Sequence, residues 1–347
     1  MKLVFDCERM KYPYTGLYEY CYQLGFALQK FFDNKDLCYY IPASRQGAFG
    51  PEHKQIIQKS SHKFFPISTK TDIWHTTFQV SNYMKNNNRG KKVLTIHDLN
   101  FLYERLSEQK RNKYLKLVQS NIERADHLVA ISQYVKQDVL THLDVKDKPF
   151  DVVYNGSKVL EFENFQNPLY KPVRPFLFSI GTVLPKKNFH VLPCLLQHND
   201  LELIIAGKKD RGYADHVMEM ASKFGVEDRV RLIGPVSYED KYWYLKNCEA
   251  FMFPSIAEGF GIPVIEAMHF GKPVFLSRFT SLPEVGGNEA YYFENFDSEY
   301  MQHIFEQGMN DYINNNRAES IMDHASLFSW ERCAQEYYNV YQQVMQL

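Results

Sequence analysis

Two glutamates, Glu258 and Glu266, stand eight positions apart in "PSIAEGFGIPVIEAMHFGKPV", with Gly259 and Gly261 close behind the first. A carboxylate has two strong acceptor oxygens, so each can accept from a vicinal pair of hydroxyls. Both could instead serve purely as helix-start residues. A second segment, "FSIGTVLPKKNFHVL" (178–192), closes a strand at Gly181 and sets Lys186 and Lys187 before an expected helix. Free N–H groups, a positive helix end and two ammonium charges suit a diphosphate. A surface turn with solvated lysines would read the same way. In "VLTIHDLNFL" a strand ends in His97, placed to donate to a phosphate or sugar hydroxyl, with a satisfied structural histidine as the competing reading. In "YPYTGLYEYC", Gly16 occupies the first strand-to-helix loop, where a missing Cβ lets a phosphate approach the backbone. No GxGxxG spacing accompanies it.

These residues need strands that end beside one another. Short apolar runs alternate with amphipathic stretches throughout: "MKLVF", "LCYYI", "DIWHTT", "KVLTIHD", "HLVAIS" and "FDVVYN" in front, then "PFLFSIG", "LELIIAG", "RVRLIG", "AFMFPS", "KPVFLS" and "EAYYF". The intervening segments, such as 107–124 and 134–140, carry helical spacing. That grammar predicts right-handed βαβ crossovers and parallel sheets. The expected fold class is α/β, with two Rossmann-like doubly wound domains over residues 1–165 and 166–328, joined through the prolyl, polar stretch 156–175. Open α/β sheets bind ligands beyond the carboxyl ends of their strands, so two such domains face to face would place the site in a central cleft. In the 254–274 segment, Pro263 suits a first helical turn and Gly271 a C-terminal stop.

A chain of 347 residues is long for one core. The opening "MKLVFDCERMKYPY" is broken by charge at once and does not read as a signal peptide, and no apolar run reaches membrane-spanning length. Six scattered cysteines without a CxxC pair fit reduced thiols in a cytoplasmic protein. No D-x-D triplet occurs, so no metal is expected at a diphosphate. Residues 1–165 hold 24 basic against 18 acidic residues, a net +6, which leaves 16 against 23, or −7, for the remainder. A basic front half without RNP, KH or zinc-finger spacing argues against nucleic acid. The basic helix 105–124 and the loop 86–92 suit peripheral contact with an anionic membrane, and a solvated helix face fits them equally.

Together these motifs resemble the retaining glycosyltransferases of family four, which have the GT-B fold. "EGFGIPVIEAMHFGKPV" is similar to that family's signature at every fixed position, and "IGTVLPKKN", "TSLPEVGGNEAYYF", "TIHDL" and "TGLY" resemble its other loops. "FSWERCAQEYYNVYQQV" looks like the family's closing helix, about 329–347, which packs back on the first domain. The resemblance implies an acceptor-binding first domain and a donor-binding second domain. Glu258 would grip hydroxyls of the transferred sugar and Glu266 those of the nucleotide ribose. Phe260, Gly261 and Ile262 would lie against sugar and phosphate, and Val236, beside Pro235, would touch the base. Lys187, with Lys186, Gly181 and Thr182 nearby, would meet the diphosphate, Gly16 would face the phosphate, and His97 would contact the sugar or its phosphate.

Many members carry Arg where Thr182 stands, so the anion would rest more heavily on the lysines. The implied activity is hexosyl transfer from a nucleotide sugar, GDP-mannose by the resemblance to bacterial mannosyltransferases. The implied acceptor is a glycan or lipid-linked oligosaccharide at the inner membrane face, and no cofactor is needed. The alternatives are an epimerase or phosphorylase on the same fold, or a nucleotide-sugar binder without catalysis.

Overall fold

The computed structural model describes every residue except 14, 66, 68, 85–89, 105, 161, 163, 164 and 347. Most of the basic loop 86–92 therefore lies outside the described residues. The chain divides into two compact units, unit 1 comprising Met1–Gly156 with Phe328–Leu347 and unit 2 comprising Ser157–Leu327.

In unit 1 seven strands run in chain order: β1 (Leu3–Asp6), β2 (Leu37–Ile41), β3 (Lys54–Ile57), β4 (Ile73–Thr76), β5 (Lys91–Ile96), β6 (His127–Ala130) and β7 (Phe150–Val152). They form one sheet in the order β3-β2-β1-β4-β5-β6-β7, every pairing parallel. β1, β2, β4 and β6 are buried along their whole length, as strands covered on both faces must be. β3 has no buried residue and lies at the edge; its sequence, "KQII", carries only a weak apolar signal. The helices are α1 (Gly16–Leu28), α2 (Glu108–Arg124) and α3 (Gln133–His142), each opened by a hydroxyl cap, at Thr15, Ser107 and Ser132.

Unit 2 carries β8 (Phe176–Ile180), β9 (Glu202–Ala206), β10 (Val230–Gly234), β11 (Ala250–Phe253), β12 (Val274–Ser277) and β13 (Tyr291–Phe293). Their order is β10-β9-β8-β11-β12-β13, again all parallel. Around them lie α4 (Arg211–Lys223), α5 (Tyr238–Asn247), α6 (Ile262–His269), α7 (Leu282–Gly286), α8 (Ser298–Asn314) and α9 (Ala318–Ser326). The core between β8, β9 and α4 gathers Leu177, Leu203, Ile205 and Val217, all fully buried.

The last helix, α10 (Trp330–Val344), belongs to unit 1 and packs on α1. A buried polar chain ties it there. Tyr341 Oη lies 2.7 Å from His75 Nδ1, His75 Nε2 lies 2.7 Å from Thr95 Oγ1, and Tyr20 Oη donates to Tyr337 Oη at 2.7 Å. The units part at 156/157 rather than at the expected 165/166. A Cβ on Gly156 would meet Trp330 N at 2.3 Å, so the chain up to that glycine is packed under the start of α10.

Candidate active site

Two ion-paired glutamates organise the carboxyl edge of unit 2. The loop after β8 and the loop after β11 are bonded to each other, because Lys186 O accepts from Ile256 N at 2.9 Å and from Ser255 Oγ at 3.0 Å. That bond brings Lys187 to Glu258, although 71 positions separate them. The Lys187 ammonium donates to Glu258 Oε1, which also accepts from Ser255 Oγ at 2.6 Å. Both charged side chains are 14% exposed, and the ammonium lies 4.8 Å over the Phe253 ring. Glu258 N donates to Thr280 Oγ1 at 3.1 Å, and Ser281 Oγ reaches Glu258 O at 3.1 Å and Phe260 O at 2.9 Å. Two donors thus hold the carboxylate through Oε1 while Thr280 and Ser281 fix the backbone that carries it.

Gly181 forms the floor under this pair. A Cβ there would press on Lys187 Cε at 3.1 Å, and the residue sits at φ +154°. Thr182, next to it, is exposed. The expected helix start after this loop is absent. Pro185–Lys187 and Phe189–Leu196 are 3-10 turns separated by Asn188 in the left-handed region. Pro193 inside the second turn removes an N–H that an α-helix would need. The contribution of helix N–H groups and dipole expected here therefore falls away, and the lysines remain.

The second carboxylate lies on α6. Gly261 caps that helix at φ +122°, a conformation that favours glycine, and Ile262 and Pro263 open the first turn. Glu266 is buried and accepts from Lys241 Nζ at 2.6 Å and from Tyr242 Oη at 3.4 Å. Lys241 also stacks over Tyr238 and Tyr242, at 5.2 and 4.4 Å. Val236, half-buried, precedes the Ser237 cap of α5, which carries this lysine and tyrosine.

Unit 1 places its two expected residues differently. Gly16 begins α1, and a Cβ there would meet nothing within 4 Å, so the protein's own packing does not demand a glycine. His97 is buried at the end of β5. Its Nε2 donates to Thr77 O at 2.8 Å, and the Tyr20 ring edges against it at 4.6 Å. Burial lowers its pKa to about 4, with the Arg9 charge adding to the effect and the Thr77 bond opposing it. A neutral imidazole whose Nε2–H is committed presents a lone pair at Nδ1. The donor role expected of His97 becomes an acceptor role, suited to a hydroxyl and unsuited to a phosphate.

The structure brings together Gly181, Lys187 and Glu258, and separately Glu266 with the α5 residues that follow Val236. Lys241, Tyr242, Ser255, Thr280 and Ser281 were not among the expected site residues. The Ser237–Asp240 capping box could have fixed the start of α5 and so placed Lys241 and Tyr242 on its first turns. Nothing in the spacing alone pairs Lys241 with Glu266.

Residues 161–322 match the family "Glycosyl transferases group 1", and residues 40–158 match "Glycosyltransferase Family 4". The chain is 25% identical to O-antigen chain mannosyltransferase B of Escherichia coli, over 98% of this chain and 99% of that protein. It is 29% identical, over 70% of its length, to the serotype-specific mannosyltransferase WbdA of Escherichia coli. The match spans about a third, 32%, of that longer relative. Among solved structures, sucrose-phosphate synthase of Thermosynechococcus elongatus superposes with a TM-score of 0.74 at 18% identity, covering 99% and 98% of the two chains. HepE of Anabaena, in complex with UDP and glucose, superposes at 0.72 with 16% identity, covering 99% of each chain. Both likenesses concern the fold, that of the GT-B glycosyltransferases.

Proposed function

We propose a reaction for a chain that belongs to the family-four glycosyltransferases: transfer of a hexosyl group from a nucleoside diphosphate to a hydroxyl of a glycan or lipid-linked oligosaccharide. The sugar is mannose and the donor GDP-mannose, a choice supported by the O-antigen mannosyltransferase relatives. The observation that carries the reading is the Lys187–Glu258 pair over Gly181. A lysine ammonium has three donors, so Lys187 can hold Glu258 and still reach a phosphate oxygen. Glu258 keeps acceptor capacity for sugar hydroxyls, while Glu266, held by Lys241, would take the ribose hydroxyls. Phe260, Gly261 and Ile262 would line the sugar and phosphate, and Val236 the base.

Cleaving the glycosyl–phosphate bond builds positive charge on the sugar ring and negative charge on the departing diphosphate. Cations fixed beforehand stabilise that anion most effectively. Lys186 and Lys187 take this role without a metal, beside Thr182. The acceptor hydroxyl attacks from the face the phosphate leaves, a phosphate oxygen takes its proton, and the anomeric configuration is retained. On unit 1, Gly16 offers backbone to a phosphate and His97 Nδ1 accepts from a sugar hydroxyl.

The protein works at the cytoplasmic face of an anionic membrane. Lys110, Lys113 and Lys116 are exposed on α2, and among the described residues no helix is long and apolar enough to cross a bilayer. Slow donor hydrolysis tests the reading. A panel of GDP- and UDP-sugars is incubated with the protein, with and without a chelator, and GDP-mannose should be consumed in both cases. Consumption of no donor, with nucleotide still bound, would leave a binder rather than an enzyme.

A further inference from the structure

Glu239, Tyr242, Trp243, Lys246 and Asn247 follow one another on α5 at i, i+3, i+4, i+7 and i+8, so they share one face of the helix. With Phe162, Phe165 and Gln166 from the segment before β8, and Phe270 just past α6, they line a cavity of about 130 Å³. α5 leaves the carboxyl edge of its sheet at the Ser237 cap and runs back towards the amino edge. There the Trp243 ring stacks on Phe176, the first residue of β8, at 6.1 Å and 2°. The cavity thus lies along the flank of unit 2, whereas Gly181, Lys187 and Glu258 lie at the carboxyl edge. Tyr242 forms its back wall and connects it to the candidate active site: the hydroxyl donates to Lys158 O at 3.0 Å and reaches Glu266 Oε1 at 3.4 Å.

The walls are aromatic. Phe162 stacks on Tyr242 at 6.3 Å and 18°, and Phe270 tilts against the same ring at 6.3 Å and 50°. Phe162 is 37% exposed, so the protein does not close these rings off from a ligand. The rim is polar. Glu239 and Gln166 make no side-chain hydrogen bond or ion pair among the described residues. Asn247 Nδ2 donates to Trp243 O at 2.8 Å, which leaves Oδ1 as a further acceptor.

Charge and polarity select among occupants. Glu239 and Lys246 put both signs on one rim, so a ligand with net charge meets its like as well as its opposite. An aliphatic tail would cover the rings but desolvate the rim without hydrogen bonds. A neutral pyranose suits both parts. Its C–H face packs on an aromatic ring, while its hydroxyls donate to carboxylate or amide oxygens and accept from amide N–H groups. The size agrees with one ring, because an apolar cavity of about 150 Å³ takes up benzene.

We propose that this cavity binds one pyranose unit of a neutral glycan. Phe162 and Trp243 stack on the sugar ring, and Glu239, Gln166 and Asn247 bond its hydroxyls. The site lies outside the residues assigned to the transfer reaction and does not rest on that reading.

Tryptophan NMR tests it on the full chain. Of the three tryptophans, Trp74 and Trp330 are buried in unit 1, and Trp243 lines the cavity. Isotope-labelled tryptophan gives each indole N–H its own signal, and Trp243→Phe assigns the one that reads the cavity. α-Mannotriose or maltotriose should move the Trp243 signal saturably. Phe162→Ala and Glu239→Ala should each weaken that response at least ~10-fold, about 1.4 kcal/mol, with GDP affinity by calorimetry unchanged. Phe162 is exposed and Glu239 half-buried, so both variants should fold, and unshifted Trp74 and Trp330 signals in the free variants check this. A Trp243 signal that neither trisaccharide moves, equal affinities in wild type and both variants, or a signal moved by GDP or hexanol with the trisaccharides inert would each overturn the site. Donor hydrolysis by the same preparation reads the transfer reaction separately.

Discussion

Lys241 and Glu266 meet at 2.6 Å with side chains only 13% and 8% exposed, and no motif of the sequence announces the pair. Glu266 alone carries the signature. The lysine sits on α5, where its stem lies over Tyr242 and its ammonium answers the acid. A carboxylate at that depth without a cation would be costly, so the acid proposed to take the ribose hydroxyls comes here with a built-in counter-charge.

Lys241→Met should therefore cost stability as well as nucleotide affinity. Leaving Glu266 with only the long Tyr242 contact should destabilise unit 2 by about 2 kcal/mol. Such a loss lowers the melting temperature by roughly 4–8 °C in a unit of this size. Adding Glu266→Gln to the same chain should restore most of that loss but not nucleotide binding. Differential scanning fluorimetry with and without GDP reads both, and an unchanged melting point in the single variant would contradict the assignment.

Lys187→Ala and Glu258→Ala test the other pair. Each should lower donor turnover at least ~100-fold, a loss of roughly 2.7 kcal/mol of transition-state stabilisation. Because the two side chains bond to each other, the double variant should lose much less than the product of the two single losses. Initial rates with saturating donor decide it. Near wild-type turnover in either single variant removes that residue from the mechanism.

The sequence made the strands legible because parallel strands buried on both faces read as largely apolar runs; "ELIIA" and "AFMF" are fully covered in the structure. Glu258, Gly261 and Glu266 were legible because a glycine turn before a proline-opened helix leaves few backbone paths. β3 was missed, since an edge strand with one apolar end shows little period-two signal. The strand, glycine and loop up to Lys187 read as the start of a helix, but Pro193 and the left-handed Asn188 hold the segment to 3-10 turns. The tautomer of His97 depends on a carbonyl 20 positions away, and the Lys187–Glu258 contact on a bond between two loops. Neither has a local signature.

Gly181→Ala isolates the floor of the lysine pair. The new Cβ would push the Lys187 stem from 3.1 Å and adopt a strained positive φ. Donor turnover should fall at least ~10-fold, about 1.4 kcal/mol, with the fold kept. Kinetics beside far-UV circular dichroism separate the two, and undiminished turnover would show that the stem tolerates the methyl group.

The basic face of α2 predicts salt-sensitive membrane binding. Each well-placed lysine contributes about 1 kcal/mol at an anionic surface, and salt screens it. Replacing Lys110, Lys113 and Lys116 with Glu should abolish co-sedimentation with phosphatidylglycerol vesicles. Equal sedimentation of wild type and variant, or none by wild type at low salt, would leave α2 a solvated surface.

The two buried histidines of unit 1 should each withdraw stability as pH falls, over a window set by their pKa values. His97 and His75 are buried, with pKa values lowered from 6.5 to about 4 and about 3. Between the unfolded value and these, the unfolded chain binds more protons than the folded one. Stability contributed by the neutral rings is therefore complete above pH 6.5 and declines as pH drops towards 4, by about 1.4 kcal/mol per pH unit for each histidine. Asp6 and Glu8, raised by burial, act with the opposite sign: they stabilise the fold when protonated and withdraw that support as pH rises. The total curve mixes the two, so the comparison must be between variants. His97→Gln keeps a donor for Thr77 O and cannot titrate. Its denaturation midpoint, compared with wild type at pH 5 and pH 6.5, should show a pH dependence smaller by the share of one histidine. An identical slope in both proteins would mean that His97 takes up its proton over the same pH range folded as unfolded, and its standing as a neutral acceptor towards a sugar hydroxyl would fall with it.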